Sequence, residues 1–250
     1  MPSKQKKSQP RGSHQLPPGR HGLTRQFVES NQRQRMLDAV ADVVSMAGYA
    51  AMSVEDIIAT AGVSRRTFYD NFTSKEDAFL TAYDAVGAEL FSRVRAAYDS
   101  SPTFASGVIL CLKAFLEFAA SEPRYAEMCM VEALAAGPAA VERRNAVMKT
   151  LAKLLYDGAQ TVPGGSRPPE LVAEAIVGGI YEIVYSRVLQ GQAEKLPELL
   201  PDLAYSMMLP YLGHAAAERA IADLRAETPA AAGEPLSPDP FAGIEARRSA

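Results

Sequence analysis

Between Ser53 and Lys75 the chain reads SVEDIIATAGVSRRTFYDNFTSK, a spacing of apolar and capping residues that predicts two short helices joined by a tight turn. Val54, Ile57, Ile58 and Ala61 stand at i, i+3, i+4 and i+7, one apolar stripe, and Ser53 with Asp56 three residues on forms a capping-box start. Gly62 frees the backbone to leave that helix, Val63 is an apolar plug, and Ser64 suits the N-cap of the next helix. A turn of about three residues is what a helix-turn-helix requires. Phe68 and Phe72, four apart, are predicted to face inward. That turns Arg66 and Asp70 most directly outward, puts Thr67 and Tyr69 on the flanks, and leaves Arg65 and Asn71 nearer the margins. Ser74 with Asp77 repeats the capping-box spacing and opens a longer helix whose first turn holds Lys75. Three helix N-termini, at Ser53, Ser64 and Ser74, thus offer N–H groups to phosphate.

Upstream, Leu37, Val40, Ala41 and Val44 repeat the stripe in a helix predicted from about Val28 to Ala47, ending at Gly48, with Tyr49 folded back onto a three-helix core. The run from about Gln34 to Leu80, with Ala47-Gly48-Tyr49, then SVEDIIATAGVSRRTFYDNF, then TSKEDAFL, resembles the DNA-binding domain of TetR-family transcriptional regulators. By position the resemblance implies DNA contacts from Arg65, Arg66, Thr67, Tyr69 and Asn71 and a phosphate contact from Lys75, to which Ser53 and Ser64, at their helix N-termini, are added as DNA-binding candidates. Two positions depart from the family pattern: Asn71 stands where His or Tyr is more common, and Asp70 puts a negative charge on the outward face. Asp70 either accepts a hydrogen bond from a cytosine amino group or pairs with Arg66 one turn earlier. A solvated surface is the bland alternative for the Arg65–Arg66 pair, and a half-buried aromatic for Tyr69.

A net charge of −3 hides a division: residues 1–75 hold eleven basic against six acidic residues, net +5, and the remainder is net −8. A basic head gains affinity by releasing phosphate counterions, while an acidic body is repelled from DNA. Residues 1–27 are predicted to be a disordered basic arm carrying Lys4, Lys6, Lys7, Arg11, Arg20 and Arg25. It is either a solubilising leader or a minor-groove arm through Arg20 or Arg25. Its segment LPPGRHGLTRQF is similar to an extension in some actinobacterial members of the family. No signal-peptide core and no stretch of membrane-span length is recognised, so the expected location is the cytoplasm.

The fold class expected is all-α: a helix-turn-helix domain over 28–75, a helical ligand-binding and dimerisation domain over 76–225, and a disordered tail over 226–250. Prolines at 102, 123, 138, 163, 168 and 169 mark the joints, giving helices near 103–121, 124–135, 138–160, 169–191 and 195–224, the last bent around Pro210. In AIVGGIYEIVY, residues 175–185, only Glu182 is charged, so this helix must be covered on more than one face. It is either the central helix of a monomer or, as the resemblance implies, part of a homodimer interface built from Val172, Ile176, Gly179, Ile183, Leu203 and Met207. A cavity is expected among Phe104, Val108, Cys111, Leu112, Phe115, Met128, Leu134, Met148, Leu151 and Leu155, with Tyr181 and Tyr185 offering hydroxyls. The same residues would also serve as ordinary core.

An enzyme is not expected: His14, His21 and His214 stand apart from any nucleophile or carboxylate pair, and Cys111 and Cys129 form no metal-binding cluster. No cofactor or metal is anticipated. The function expected is a homodimeric repressor on a near-palindromic operator, released by a hydrophobic or amphipathic small molecule that rotates the helix starting at Ser74. The alternative is an architectural DNA-coating protein without a ligand switch.

Overall fold

The structure, a computed structural model, describes residues 25–227, and among them the regular structure is helical throughout. The head consists of α1 (Arg25–Ala51), α2 (Val54–Ala61), α3 (Arg65–Tyr69) and the start of α4 (Lys75–Asp99). The caps are those the sequence predicts: the Ser53 hydroxyl accepts from the Asp56 N–H at 3.2 Å, and the Asp56 carboxylate accepts from the Ser53 N–H at 3.0 Å. Ser64 accepts from the Thr67 N–H at 3.0 Å and Ser74 from the Asp77 N–H at 3.1 Å. At the third cap the Asp77 carboxylate accepts from the Thr73 N–H at 2.8 Å, one residue before the N-cap. Gly62 ends α2 in the left-handed region at φ 61°, where a side chain costs about 1–2 kcal/mol.

The core of the head gathers Met36, Val40, Val44, Ile57, Phe68, Phe72 and Phe79, all buried. Phe68 packs edge-on to Tyr69 and tilted against Phe72, with ring centroids 5.3 and 5.5 Å apart. Burying each such ring contributes about 1.5–3 kcal/mol. Tyr49 folds back as expected, its ring edge-on to Phe79 at 5.0 Å.

The body follows as α5 (Phe104–Ser121), α6 (Pro123–Ala126), α7 (Pro138–Gln160), α8 (Glu170–Leu189), α9 (Leu200–Leu212) and α10 (His214–Glu227). Its core runs through Leu112, Leu116, Leu155, Val184, Leu196, Met208 and Tyr211. α5 is long and apolar enough to cross a membrane by length and composition, contrary to the expectation that no stretch would be. Here Val108, Leu112, Leu116 and Ala119 pack in the body core, and Phe118 packs in the core of the head.

Three further expectations are corrected. α1 begins at Arg25, three residues before the predicted start. The predicted helix 124–135 is instead one α-turn, a widened π-helical turn over Glu127–Val131, and a 3₁₀ turn over Glu132–Leu134. The predicted helix 195–224 is a 3₁₀ segment, Ala193–Leu199, then two helices parted at Gly213, φ 75° and ψ 167°, while Pro210 is accommodated in the last turn of α9.

Candidate DNA-reading surface and apolar cavity

On α3 the side chain of Arg66 is 91% exposed and its Nε lies 3.8 Å from the Asp70 carboxylate. The pairing alternative for Asp70 is therefore the one present. At full exposure such a pair is worth under about 1 kcal/mol, so Arg66 stays available. Tyr69 projects beside it, 49% exposed. Arg65 is more committed: its guanidinium lies 2.6 Å from Glu55 and 5.8 Å from the centre of the Tyr69 ring. Thr67 shares a hydrogen bond with the Ser64 hydroxyl at 2.9 Å, and the Asn71 amide donates back to the Thr67 carbonyl at 2.9 Å. That bond follows a recognition helix of five residues, Arg65–Tyr69, so that Phe72 packs inward from just beyond it.

Lys75 is turned inward, against the expectation of a phosphate contact. Its ammonium donates to the carbonyls of Met52 at 2.8 Å, Tyr49 at 3.3 Å and Ala50 at 3.4 Å, and it stands 5.0 Å from the centre of the Tyr49 ring. A cation among the free carbonyls at the end of α1 is held by charge-assisted bonds and by the helix dipole. Arg35 does the same for α2, donating to the carbonyls of Ala61 and Gly62, and Arg33 lies over the Phe72 ring at 5.0 Å. Neither was foreseen. Arg25 lies at the first turn of α1, and Arg20 lies outside the described residues.

The body holds an apolar cavity of about 480 Å³, within the size range of small-molecule sites. Phe104, Val108, Cys111, Leu112 and Phe115 from α5 line it, as do Met148, Leu151 and Leu155 from α7 and Tyr181 from α8. Met128 does not: it is fully buried in the core shared with the head, because the π-turn swings Cys129 and Met130 to the cavity instead. Leu134 is exposed, and Tyr185 stacks on Tyr181 at 6.4 Å without reaching the cavity. The Tyr181 hydroxyl is not offered to the cavity either, since it donates to the Met130 carbonyl at 2.8 Å.

A further wall, not expected from the sequence, comes from α4, where Tyr83, Val86, Leu90, Phe91, Val94 and Tyr98 line one side. Their spacing of three, four, one, three and four is a helical stripe that was legible in the sequence. Arg144, also unforeseen, lines the cavity. Burial pushes the thiols of Cys111 and Cys129 up to about 11 and about 12. Both therefore remain neutral thiols at physiological pH, part of an apolar lining and not nucleophiles.

Among the described residues, polar contacts from three body side chains join this body to the head. The Glu132 carboxylate accepts from the Tyr49 N–H at 2.7 Å, just past the Gly48 kink in α1, where φ is 78° and ψ 158°. Arg124 donates to Asp42 at 2.8 Å, and the Tyr125 hydroxyl donates to Asp38 at 2.9 Å.

On α8, Gly178 and Gly179 have open space where a Cβ would stand, and Leu171 and Ile183 are exposed. Val172 and Ile176 are half-buried beside them. Leu203, expected at an interface, is only 6% exposed and belongs to the subunit's own core. Met207 is half-buried and lines the cavity.

Residues 36–82 match the family model described as bacterial regulatory proteins, tetR family. No curated protein is a match in sequence. Among solved structures, the fatty acid degradation regulator FadR from Bacillus halodurans is similar at 18% identity and TM-score 0.64, over 71% of this chain and 94% of that one. FadR from Bacillus subtilis in complex with stearoyl-CoA is 21% identical, with TM-score 0.62 over 72% and 98%. A ketosteroid transcriptional regulator of Mycobacterium tuberculosis is 22% identical, with TM-score 0.53 over 70% and 93%. At these identities the likeness concerns the fold.

Proposed function

We propose that the chain, whose residues 36–82 match the tetR family of bacterial regulatory proteins, is a transcriptional regulator of that family and a homodimeric repressor released from a near-palindromic operator by a hydrophobic or amphipathic small molecule. On this reading it is a transcription factor and not an enzyme. The observation that carries the proposal is the placement of α4: its first turn is anchored beside the reading head through Lys75, and its middle forms a wall of the apolar cavity. A molecule that spreads this wall moves the helix on which the head is seated.

α3 then lies in the major groove, with Arg66 and Tyr69 as its most exposed candidate contacts and Arg65, Thr67 and Asn71 beside them. Pairing of two subunits through the α8 face of Val172, Ile176, Gly179 and Ile183 sets the two heads about 34–36 Å apart or a multiple of that. Ligand coupling of about 1–3 kcal/mol lowers operator affinity some tenfold or more. Residues 1–24 act as a basic arm, residues 25–75 as the DNA-binding domain and 76–227 as the ligand and dimer domain, all in the cytoplasm, where the operator is.

Selection of randomised duplex DNA by the purified protein at near-physiological salt, with its mass in solution measured alongside, tests the proposal. An inverted repeat recovered by a dimer is the expected result. Recovery of no motif would sink it and favour graded, non-specific coating of DNA.

A further inference from the structure

Among the side chains that line the cavity, Arg144 alone carries a formal charge at neutral pH. It sits on α7 and makes no ion pair with a described residue. One amino nitrogen donates to the side-chain oxygen of Asn145 at 3.0 Å. Its Nε is buried and has no acceptor. The residue is half-buried and its amino nitrogen at Asn145 reaches the surface, but the Nε is a buried donor left unsatisfied, a cost that falls when an acceptor arrives.

The guanidinium is also held in place. Its central carbon stands 4.0 Å from the centre of the Tyr181 ring, and that ring is pinned by the hydroxyl's bond to the Met130 carbonyl. Stacking on a fixed aromatic face orients the planar fork before any ligand enters. Tyr83 faces the same corner: burial holds its hydroxyl above the ordinary tyrosine range, opposed only in part by the Arg144 charge, so it stays a protonated donor. The opposite reaches of the cavity, through Phe104, Val108, Leu112 and Leu151, are apolar.

We propose that Arg144 is the head-group anchor of the effector, and that the effector is an amphiphile whose apolar chain or ring system ends in a carboxylate. This rests on the cavity being the effector site. A planar carboxylate matches the guanidinium fork and supplies an acceptor for the unpartnered Nε. A thioester carbonyl offers the same acceptor chemistry without the charge, and the test separates the two.

Laurate, lauryl alcohol and lauroyl-CoA are titrated calorimetrically into the full-length protein and into Arg144→Gln and Arg144→Lys, and release of the selected operator is measured with each. In the native protein laurate is expected to bind about tenfold or more tighter than the alcohol. Arg144→Gln abolishes that ratio, and Arg144→Lys, which keeps the charge but not the fork, retains part of it. The ratio within each protein is the readout, so if the glutamine variant fails to fold, the lysine variant alone decides. Equal binding of acid and alcohol, or a preference that survives Arg144→Gln, overturns the proposal while leaving the cavity as a ligand site. Tight lauroyl-CoA binding indifferent to Arg144, with no preference for laurate, overturns the carboxylate in favour of the thioester. Binding of none of the three overturns the ligand class, and laurate binding that leaves the operator complex intact separates a correct anchor from a failed switch.

Discussion

At the level of single residues, the exposed face of α3 and the anchored base of α4 lead to opposite expectations for two cations, Arg66 and Lys75. Arg66 is exposed and only loosely paired with Asp70. If it reads a guanine, Arg66→Ala costs about 1–3 kcal/mol of operator affinity concentrated at one base pair. Anisotropy titrations over single-base operator variants check this, and equal weakening on every sequence would make it a phosphate contact instead. Lys75 is bound to three carbonyls at the end of α1. Lys75→Ala is therefore expected to lower the stability of the folded protein by about 1–3 kcal/mol, read from denaturant midpoints, with the salt dependence of DNA binding unchanged. A slope shallower by about one would restore the phosphate role. The sequence placed Lys75 correctly in the first turn of α4. It did not disclose that the carbonyls of Tyr49, Ala50 and Met52, at and just past the end of α1, converge there, because they stand 23 to 26 positions away in the chain.

Among the elements, the helix-turn-helix was legible because its signals are local: Ser53, Ser64 and Ser74 cap within three residues of themselves. The segment after α6 was not, because its shape is set from outside it. The Tyr181 hydroxyl, 51 positions away, binds the Met130 carbonyl in the π-turn, and Tyr49, 83 positions away, donates to Glu132 just beyond. Arg144 was illegible for a related reason: a cation within a helix of mixed polarity gives no sign in sequence of which side it faces. The π-turn thus touches the cavity through Cys129 and Met130, and the residue that follows it, Glu132, touches the head. Such an element has few ways to move without disturbing both. Glu132→Ala removes the acceptor for the Tyr49 N–H, and operator release by a bound effector is expected to weaken severalfold while effector affinity in the absence of DNA changes little. Coupling measured in both directions decides it, since binding linkage is reciprocal. An unaltered ratio of affinities with and without effector would place the transmission in α4 alone.

For the whole molecule, the charge division has a sharper form once the head is bounded by structure. Residues 25–75 contain six basic and six acidic residues, so the folded head has no net charge, and the +5 of residues 1–75 resides in Lys4, Lys6, Lys7, Arg11 and Arg20. Within the head, Arg35, Arg65 and Lys75 are already engaged with carbonyls or with Glu55. Long-range attraction to DNA must therefore come from the segment ahead of α1. The third turn of α1 packs against the reading motif: Arg33 lies over Phe72, just past α3, and Arg35 caps α2 beside the turn. Removing residues 1–24 is accordingly expected to weaken binding to operator and to unrelated duplex together, and to make the plot of log affinity against log salt shallower by about 0.9 for each phosphate that the segment no longer neutralises. The operator motif recovered by selection should be the same with or without the segment, because Arg66 and its neighbours on α3 read the bases. Loss of preference at one A·T position would instead assign Arg20 to the minor groove, where width and A·T content are what a basic arm discriminates. An unchanged slope would make the segment a solubilising leader and leave a neutral head to bind through groove contacts alone.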